Sequence, residues 1–225
     1  MEGCKYSIRH MFVKLSVLAA CIMSGCSFIQ TYDIHNVVQT YLDLTYHGIY
    51  DEEVSSIFGL SKDEALRKYE DDLSLDTDMF LQNILGIEDV SQEAKDHIKG
   101  MYQAVYEKAS YGIGGSEKDQ VSVTVYPEQA FACLEDSVLT DMLRCAYAEQ
   151  GLEGKSILDL SAEELQAVNS SYAIKVSDLV LSNLDEVDHG ESVVVAVKVS
   201  KNGRDLYLEK DGLDMIDSLI IDLKI

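Results

Sequence analysis

Two cysteines near the start of the chain, Cys21 and Cys26, are the first residues whose type and spacing point to chemistry. They lie in the stretch LSVLAACIMSGCSF, where each ends a short run of small and apolar residues. A thiol is a nucleophile that can take up a covalent group. No acidic residue occurs between Glu2 and Asp33, and three basic residues come before the stretch: Lys5, Arg9 and Lys14. A basic start followed by an apolar stretch and small residues is typical of an export signal.

The position of each cysteine directly after small residues resembles the lipobox of bacterial lipoproteins. The resemblance implies that the thiol receives a diacylglyceryl group and that a peptidase then cleaves just before the modified cysteine. Two segments fit this pattern, Leu18-Ala19-Ala20-Cys21 and Met23-Ser24-Gly25-Cys26. The first segment has Leu, the commoner residue, three positions before the cysteine. The lipobox pattern by itself therefore leaves both cysteines as candidates.

The length of the apolar region separates the two sites. Using Cys21 leaves only Leu15-Ser16-Val17 after Lys14, whereas using Cys26 leaves residues 15–22. An export signal needs about 7–15 apolar residues, which only the second choice supplies. We therefore predict Cys26 as the lipidated residue, with Cys21 as the alternative. The residues expected to be recognised by the peptidase are Met23, Ser24 and Gly25.

This choice divides the chain into a signal peptide at residues 1–25, a tether at 26–32 and a single domain at 33–225. A membrane-spanning helix needs about 20 predominantly apolar residues, and polar side chains interrupt this run well before Asp33. Two acyl chains of the palmitate type anchor a protein stably. The expected location is the extracytoplasmic face of the cell membrane, reached through the diacylglyceryl anchor.

The formal net charge of the chain is −22 at pH 7. Such a charge repels phosphate backbones and anionic lipid surfaces. This repulsion excludes nucleic acid as a partner. We interpret the charge as a feature that keeps the protein soluble. The sequence leaves open whether the partner is a protein or a small molecule.

The first half of the domain has the periodicity of helices. Apolar residues recur at steps of three and four from residue 34 to 49, with Gly48 near the end. Ser61 and Glu64 form a capping-box pattern that predicts a helix start, and a further helix is expected after Ser91.

The second half alternates as strands do. QVSVTVYP predicts a strand that pairs with ASYGIGG through a turn at residues 116–119, and a helix is expected from Pro127 to Gln150. SYAIKVSDLVL is interpreted as a strand, and Asn202-Gly203 predicts a hairpin. A closing helix is expected after Asp211-Gly212. The prediction is an α+β fold, with a helical N-terminal half packed on an antiparallel sheet of about four to five strands.

The segment VVQTYLDLTYHGIYDEEVSSIFGLSKDEALRKYEDDL resembles a group of small, uncharacterised lipoproteins of Gram-positive Firmicutes that form a domain of unknown function. The resemblance rests on an early helix with Tyr41-Leu42-Asp43, Tyr46, Gly48 and Tyr50. The end of this helix is also loosely similar to the nuclear-transport-factor-like α+β folds. That likeness implies a pocket between helices and a curved sheet. Neither resemblance implies a catalytic residue.

A search for catalytic, metal and cofactor motifs yields none, so we expect no enzyme activity, no metal and no cofactor. The acidic residues Glu70-Asp71-Asp72, Asp76 and Asp78 lack the frame of a calcium loop and are interpreted as a solvated helix face with a turn. Cys133 and Cys145 are expected on one helix, about 18 Å apart, as free thiols.

Tyrosine is the unusual resource of this chain, with thirteen residues and no tryptophan. Its amphipathic side chain often lines binding sites, although packing at the rim of the core is the simpler interpretation. The residues predicted to line a pocket, if one exists, are Tyr41, Tyr46, Tyr50, Tyr102 and Tyr106. The function predicted is that of a lipid-anchored extracytoplasmic binding or accessory protein. The alternatives are a small-ligand binder with a pocket between helices and sheet and, less favoured, an envelope enzyme.

Overall fold

The computed structural model describes residues 33–202 and 205–221. Seven α-helices and four strands lie within these ranges. The helices are α1 (Ile34–His47), α2 (Glu52–Phe58), α3 (Lys62–Met79), α4 (Gln92–Lys108), α5 (Asp136–Glu149), α6 (Ala162–Glu186) and α7 (Lys210–Ile220). The strands are β1 (Ser110–Glu117), β2 (Gln120–Tyr126), β3 (Val193–Asn202) and β4 (Asp205–Leu208). The α+β prediction is confirmed, with a helical first half, a four-stranded sheet and a closing helix.

The helix ends follow the sequence signals. Ser61 accepts from the backbone N–H of Glu64, and the Glu64 carboxylate accepts from Ser61 in return, which completes a capping box at the start of α3. The Ser91 side chain caps α4 in the same way by accepting from Ala94. Gly48 ends α1 in the left-handed conformation, with φ +61°. A single π-helical turn, Phe80–Ile84, continues α3.

The four strands form an antiparallel sheet in the order β1-β2-β3-β4. Val121, Val123 and Val125 of β2 are fully buried on the face that carries the helices. The opposite face is open, and Val194 there is 66% exposed. In the second hairpin Asn202 pairs with Asp205, as the Asn-Gly signal predicts.

Helix α7 packs closely against this sheet because a glycine in its first turn, Gly212, lies at the contact point. A Cβ placed on Gly212 would lie 2.6 Å from the carbonyl oxygen of Ala196 in β3. The helix starts at Lys210, so Asp211-Gly212 belongs to it rather than preceding it. Its buried residues Leu213, Ile216 and Ile220 belong to the main hydrophobic core, to which residues of the sheet and of other helices also contribute.

The interpretation of SYAIKVSDLVL as a strand is wrong, because these residues belong to the 25-residue helix α6. The buried side chains Val168, Tyr172, Val176, Val180 and Leu184 recur every four residues, which a helix satisfies as well as alternation does over a short window. Ser161 closes a capping box with Glu164, and no Gly or Pro interrupts the helix. The helix that starts at this capping box therefore continues through the whole segment.

The single helix expected from Pro127 to Gln150 is also wrong. A 3₁₀ turn, Ala130–Cys133, comes first, and α5 begins only at Asp136. The side-chain amide of Asn183 in α6 donates to the carbonyls of Gln129 (3.0 Å) and Ala130 (2.8 Å), which binds the 3₁₀ turn to α6. Cys133 and Cys145 thus lie on separate elements, and both thiols are free.

Candidate functional site

The residues predicted for lipid attachment and its recognition, Met23, Ser24, Gly25 and Cys26 with the alternative Cys21, lie outside the described residues. Their roles stay predictions. Within the described residues no helix is both long and apolar enough to span a membrane.

Three of the predicted tyrosines meet in the core rather than at a surface. Tyr46 from α1 and Tyr102 and Tyr106 from α4 are at most 1% exposed. The rings of Tyr46 and Tyr106 lie 5.5 Å apart in an edge arrangement, and those of Tyr102 and Tyr106 lie 5.9 Å apart. Such aromatic pairs add to the stabilisation that burial alone gives.

Two buried carboxylates accept hydrogen bonds from two of these three tyrosine hydroxyls. Tyr106 donates to Oδ2 of Asp76 in α3 over 2.7 Å, and Tyr46 donates to Asp217 in α7. The Tyr102 hydroxyl has no hydrogen-bond partner among the described atoms. We call these five residues, Tyr46, Asp76, Tyr102, Tyr106 and Asp217, the Tyr–Asp cluster. It ties the first, third, fourth and last helices together.

The electrostatics of the Tyr–Asp cluster keep the phenols protonated. Burial, followed by the Asp217 carboxylate, raises the pKa of Tyr46 well above its usual range. Burial and the Asp76 carboxylate do the same to the pKa values of Tyr102 and Tyr106. A phenol with a raised pKa remains a hydrogen-bond donor at physiological pH and is a poor general base. The arrangement therefore suits a structural role.

The interpretation of Asp76 as part of a solvated helix face is wrong. Asp76 is 3% exposed, whereas Glu70, Asp71 and Asp78 of the same segment are exposed. The available signal was its position three residues after Leu73 and four before Phe80, both buried, which places it on the apolar face of α3. Asp217 was missed for the same reason, since it lies four residues after the buried Leu213.

Of the two remaining tyrosines, Tyr41 lies in the same hydrophobic core as the Tyr–Asp cluster, whereas Tyr50 lies over a separate one. Tyr41 is 7% exposed and packs edge-on against Phe58. Tyr50 is half-buried over a smaller cluster of apolar residues between α1, α2 and α3, and its hydroxyl reaches the Leu60 carbonyl at 3.5 Å. The assignment of all five tyrosines to a pocket stays a prediction.

A surface cleft of about 650 Å³ lies instead along α5. It is formed by one side of that helix and by the loop that follows it. The lining residues are Thr140, Leu143, Arg144, Cys145, Tyr147, Ala148, Glu153, Gly154 and Lys155. Its walls are mainly apolar, and none of the five predicted tyrosines contributes to it.

The loop after the cleft presents two apolar side chains to solvent. Ile157 is 60% exposed and Leu158 is 90% exposed, the highest value among the exposed large apolar residues. We call the cleft together with Ile157 and Leu158 the α5 surface. Exposed apolar side chains next to an apolar cleft are typical of a binding surface.

One pair of titratable groups lies just outside the sheet, with Glu128 after the end of β2 and His189 before the start of β3. The Glu128 side chain is buried, and its Oε2 lies 3.4 Å from Nδ1 of His189, which is partly exposed. Burial raises the pKa of the Glu128 carboxyl, and the nearby His189 opposes that change in part. The backbone N–H of Gln129 donates to the same carboxyl over 3.2 Å. In the described part of the chain no group of three or more His, Cys, Asp or Glu residues is arranged to hold a metal.

The fold has a distant neighbour among solved structures. No family model matches the chain, and no curated protein is significantly similar to it. The neighbour is a Bacillus subtilis protein described as a "putative lipoprotein (ycdA)", with a TM-score of 0.50 and 19% sequence identity. The match covers 81% of this chain and 53% of the neighbour, so the chain spans about half the length of that protein. At this identity the likeness shows a shared fold.

Proposed function

We propose that this chain is a lipid-anchored extracytoplasmic protein that acts as a binding or accessory module. Two observations support the anchor. The sequence carries the lipobox-like segment Met23-Ser24-Gly25-Cys26 behind a basic start, and the fold resembles that of a Gram-positive protein described as a putative lipoprotein.

The α5 surface is the observation that carries the binding role. Leu158 is 90% exposed and follows the cleft residue Lys155 by three positions, whereas most large apolar residues of the described part of the chain are buried. Exposing apolar area to water costs free energy, so a contiguous apolar surface with polar edges is usually an interaction site.

The anchor and the location are tested by the mass of the N-terminal peptide from membranes of the native host. Trypsin cannot cut between Lys14 and Lys62, because no Lys or Arg lies between them, so one peptide reports both cleavage and lipid. We expect a diacylglyceryl mass on a peptide that begins at Cys26. Protease added to intact cells should also degrade the domain. An unmodified peptide that begins at Leu15, or full protection from protease, would contradict the proposal.

A small-ligand-binding lipoprotein is the second candidate, favoured by the size of the cleft on α5. A volume of about 650 Å³ lies within the range of small-molecule sites. This cleft is on the outer side of α5, not between the helices and the sheet where the sequence resemblance implied a pocket. Native mass spectrometry of the protein purified from its host tests this function. A bound small molecule that Leu143→Trp displaces would support it, and a ligand-free spectrum would weaken it.

We further propose that the chain acts without catalysis. The described residues contain a second close pair of a histidine and a carboxylate, His97 with Asp178 at 2.7 Å, but only the Glu128 and His189 pair combines a buried carboxyl with a partly exposed imidazole. In a host lacking the native copy, the chain with Glu128→Gln and His189→Ala should then restore function fully. A folded, correctly located double variant that fails to complement would favour an envelope enzyme.

A further inference from the structure

Helix α5 is incompletely covered by the rest of the protein. Of its 14 residues only Ala146 is buried, while α4 buries six of 17. Several large apolar side chains of α5 are half-buried: Val138, Leu139, Met142, Leu143 and Tyr147. A surface helix usually buries its apolar stripe against the core. On α5 the side chains of Leu139, Met142, Leu143 and Tyr147 pack against the core but keep part of their surface exposed, and that part is available to another molecule.

The loop that completes the α5 surface has a defined conformation. Gly151 adopts φ +65° and its N–H donates to the Ala148 carbonyl, while the N–H of Leu152 donates to the Tyr147 carbonyl over 2.9 Å. These are the two bonds of a Schellman motif, which fixes the direction of the chain after a helix. Leu152 is buried and anchors the loop.

The exposed side chains stand on a second ordered turn. Ser156 caps this turn by accepting from the N–H of Leu158, and the N–H of Asp159 donates to the Ser156 carbonyl over 2.9 Å. The backbone hydrogen bonds of the turn are made while Ile157 and Leu158 point outward. Their exposure is therefore part of the loop's structure, and an interface formed there requires little further ordering.

The charges around the α5 surface favour a cationic partner. Two cations, Arg144 and Lys155, line the cleft, and each has an intramolecular carboxylate partner: Asp141 (2.7 Å) for the first and Glu164 (2.8 Å) for the second. Lys175 on α6 pairs with Glu149. Glu153 lines the cleft and Asp159 follows Leu158, and neither makes an ion pair within the described residues. The overall charge of −22 adds a long-range attraction for cations.

We propose that the α5 surface docks an amphipathic protein segment whose apolar face is flanked by Lys or Arg. This inference deepens the proposed function, because it names the class of partner for the binding module. The apolar face would cover Leu143, Tyr147 and Leu158, and the cationic flank would meet Glu153 and Asp159. A second copy of this chain fits less well, since it brings the same excess of carboxylates. Anionic lipid is repelled for the same reason.

The experiment uses the full chain in zwitterionic nanodiscs, with empty nanodiscs subtracted. The probe is a synthetic helix of about 18 residues, with Leu at positions i, i+3, i+4 and i+7 and Lys elsewhere. One control peptide replaces Lys by Glu, and a second replaces Leu by Ser and keeps Lys. We expect the Leu/Lys peptide to bind at least about tenfold more tightly than either control.

Matched variants locate the binding on the protein. Leu158→Ser should weaken the Leu/Lys peptide about tenfold, while Met215→Ser, at an apolar residue of α7 that is 47% exposed, should leave affinity unchanged. Glu153→Gln should weaken binding more at low salt than at high salt. In methyl NMR spectra the signal of Met142 on α5 should shift on binding, and that of Met215 should not.

Three outcomes would overturn the inference. Equal affinity of the Ser/Lys peptide would show attraction by overall charge alone, and tighter binding of the Leu/Glu peptide would show that the partner's charge is reversed. Unchanged affinity of the Leu158→Ser variant would place binding elsewhere. The proposed function fails separately, if the chain is found without lipid and protected inside the cell. A lipidated, exposed chain that does not bind the Leu/Lys peptide contradicts the partner class alone.

Discussion

The Tyr–Asp cluster and the α5 surface reverse the usual distribution of polar and apolar groups in opposite ways. In the Tyr–Asp cluster, carboxylates and phenols lie in the core, where Asp76 is 3% and Asp217 is 8% exposed. On the α5 surface, Leu158 and Ile157 lie in water. Buried polar groups cost free energy unless they are hydrogen-bonded, and exposed apolar groups cost free energy unless they are covered.

The two regions differ in where the compensation comes from. Within the Tyr–Asp cluster, the chain supplies partners for two of the three hydroxyls, since Tyr46 donates to Asp217 and Tyr106 donates to Asp76. The described part of the chain supplies no cover for Leu158. A site completed from within indicates a role in the fold, whereas a site left open indicates a role in binding. This contrast is why we assign function to the α5 surface and stability to the Tyr–Asp cluster.

The largest effect is expected from Tyr46→Ala in the Tyr–Asp cluster. It removes the ring that contacts Tyr106 and the hydroxyl that reaches Asp217, and it leaves a cavity in a closed core. Chemical denaturation of the purified full chain, followed by near-ultraviolet circular dichroism, should show a loss of about 3–5 kcal/mol. Tyr50→Ala, at a half-buried position, is the control and should cost about 1 kcal/mol. Equal losses would contradict the central role of the Tyr–Asp cluster.

Removing a single hydroxyl should have different effects on stability at two neighbouring tyrosines of the Tyr–Asp cluster. Tyr106→Phe leaves the buried Asp76 carboxylate without that donor and should cost about 1–3 kcal/mol of unfolding free energy. Tyr102→Phe, one helical turn earlier and equally buried, removes a hydroxyl with no described partner and should change stability by less than about 0.5 kcal/mol. A similar loss in both variants would show that the Tyr102 hydroxyl is hydrogen-bonded in solution.

The Glu128 carboxyl should give the protein a pH dependence that Glu128→Gln removes. Its pKa is raised in the folded state, so the associated stability is present below the unfolded-state pKa, about 4.3, and is lost as the pH rises through the folded-state pKa. The wild type should therefore lose stability relative to Glu128→Gln as the pH increases from 4. Denaturation at several pH values measures this difference. A stability difference that is constant with pH, or that changes in the opposite direction, would show that burial does not raise the pKa of the Glu128 carboxyl.

The smallest effect on stability is expected on the α5 surface. Leu158→Ser should change the unfolding free energy by less than about 0.5 kcal/mol, because the side chain makes few contacts within the protein. The same denaturation experiment measures it. A loss above 1 kcal/mol would show that Leu158 packs on its own chain, and would remove the main distinction between the two regions.

Local signals in the sequence predicted much of the fold. The capping box at Ser61, the glycine at position 48 and the alternation of valines in β2 all act over a few residues, and the structure confirms each. The assignment of residues 171–181 to a strand failed because a spacing of four residues also satisfies a period of two. The helix expected across residues 127–150 failed in a region where Asn183, which is distant in sequence, donates to the carbonyls of Gln129 and Ala130, a tertiary contact that local signals do not reveal.

The sequence alone determined the acidic character and, through signals between neighbouring residues, the order of most helices and strands. The export signal and the lipid site at Cys26 stay predictions from the same sequence. Only the tertiary structure decided which polar residues are buried and which apolar residues are exposed. Asp76 and Leu158 show the reason most clearly. Asp76 is buried because it contacts Tyr106, which lies far away in the sequence, and Leu158 is exposed because no described element packs over its loop.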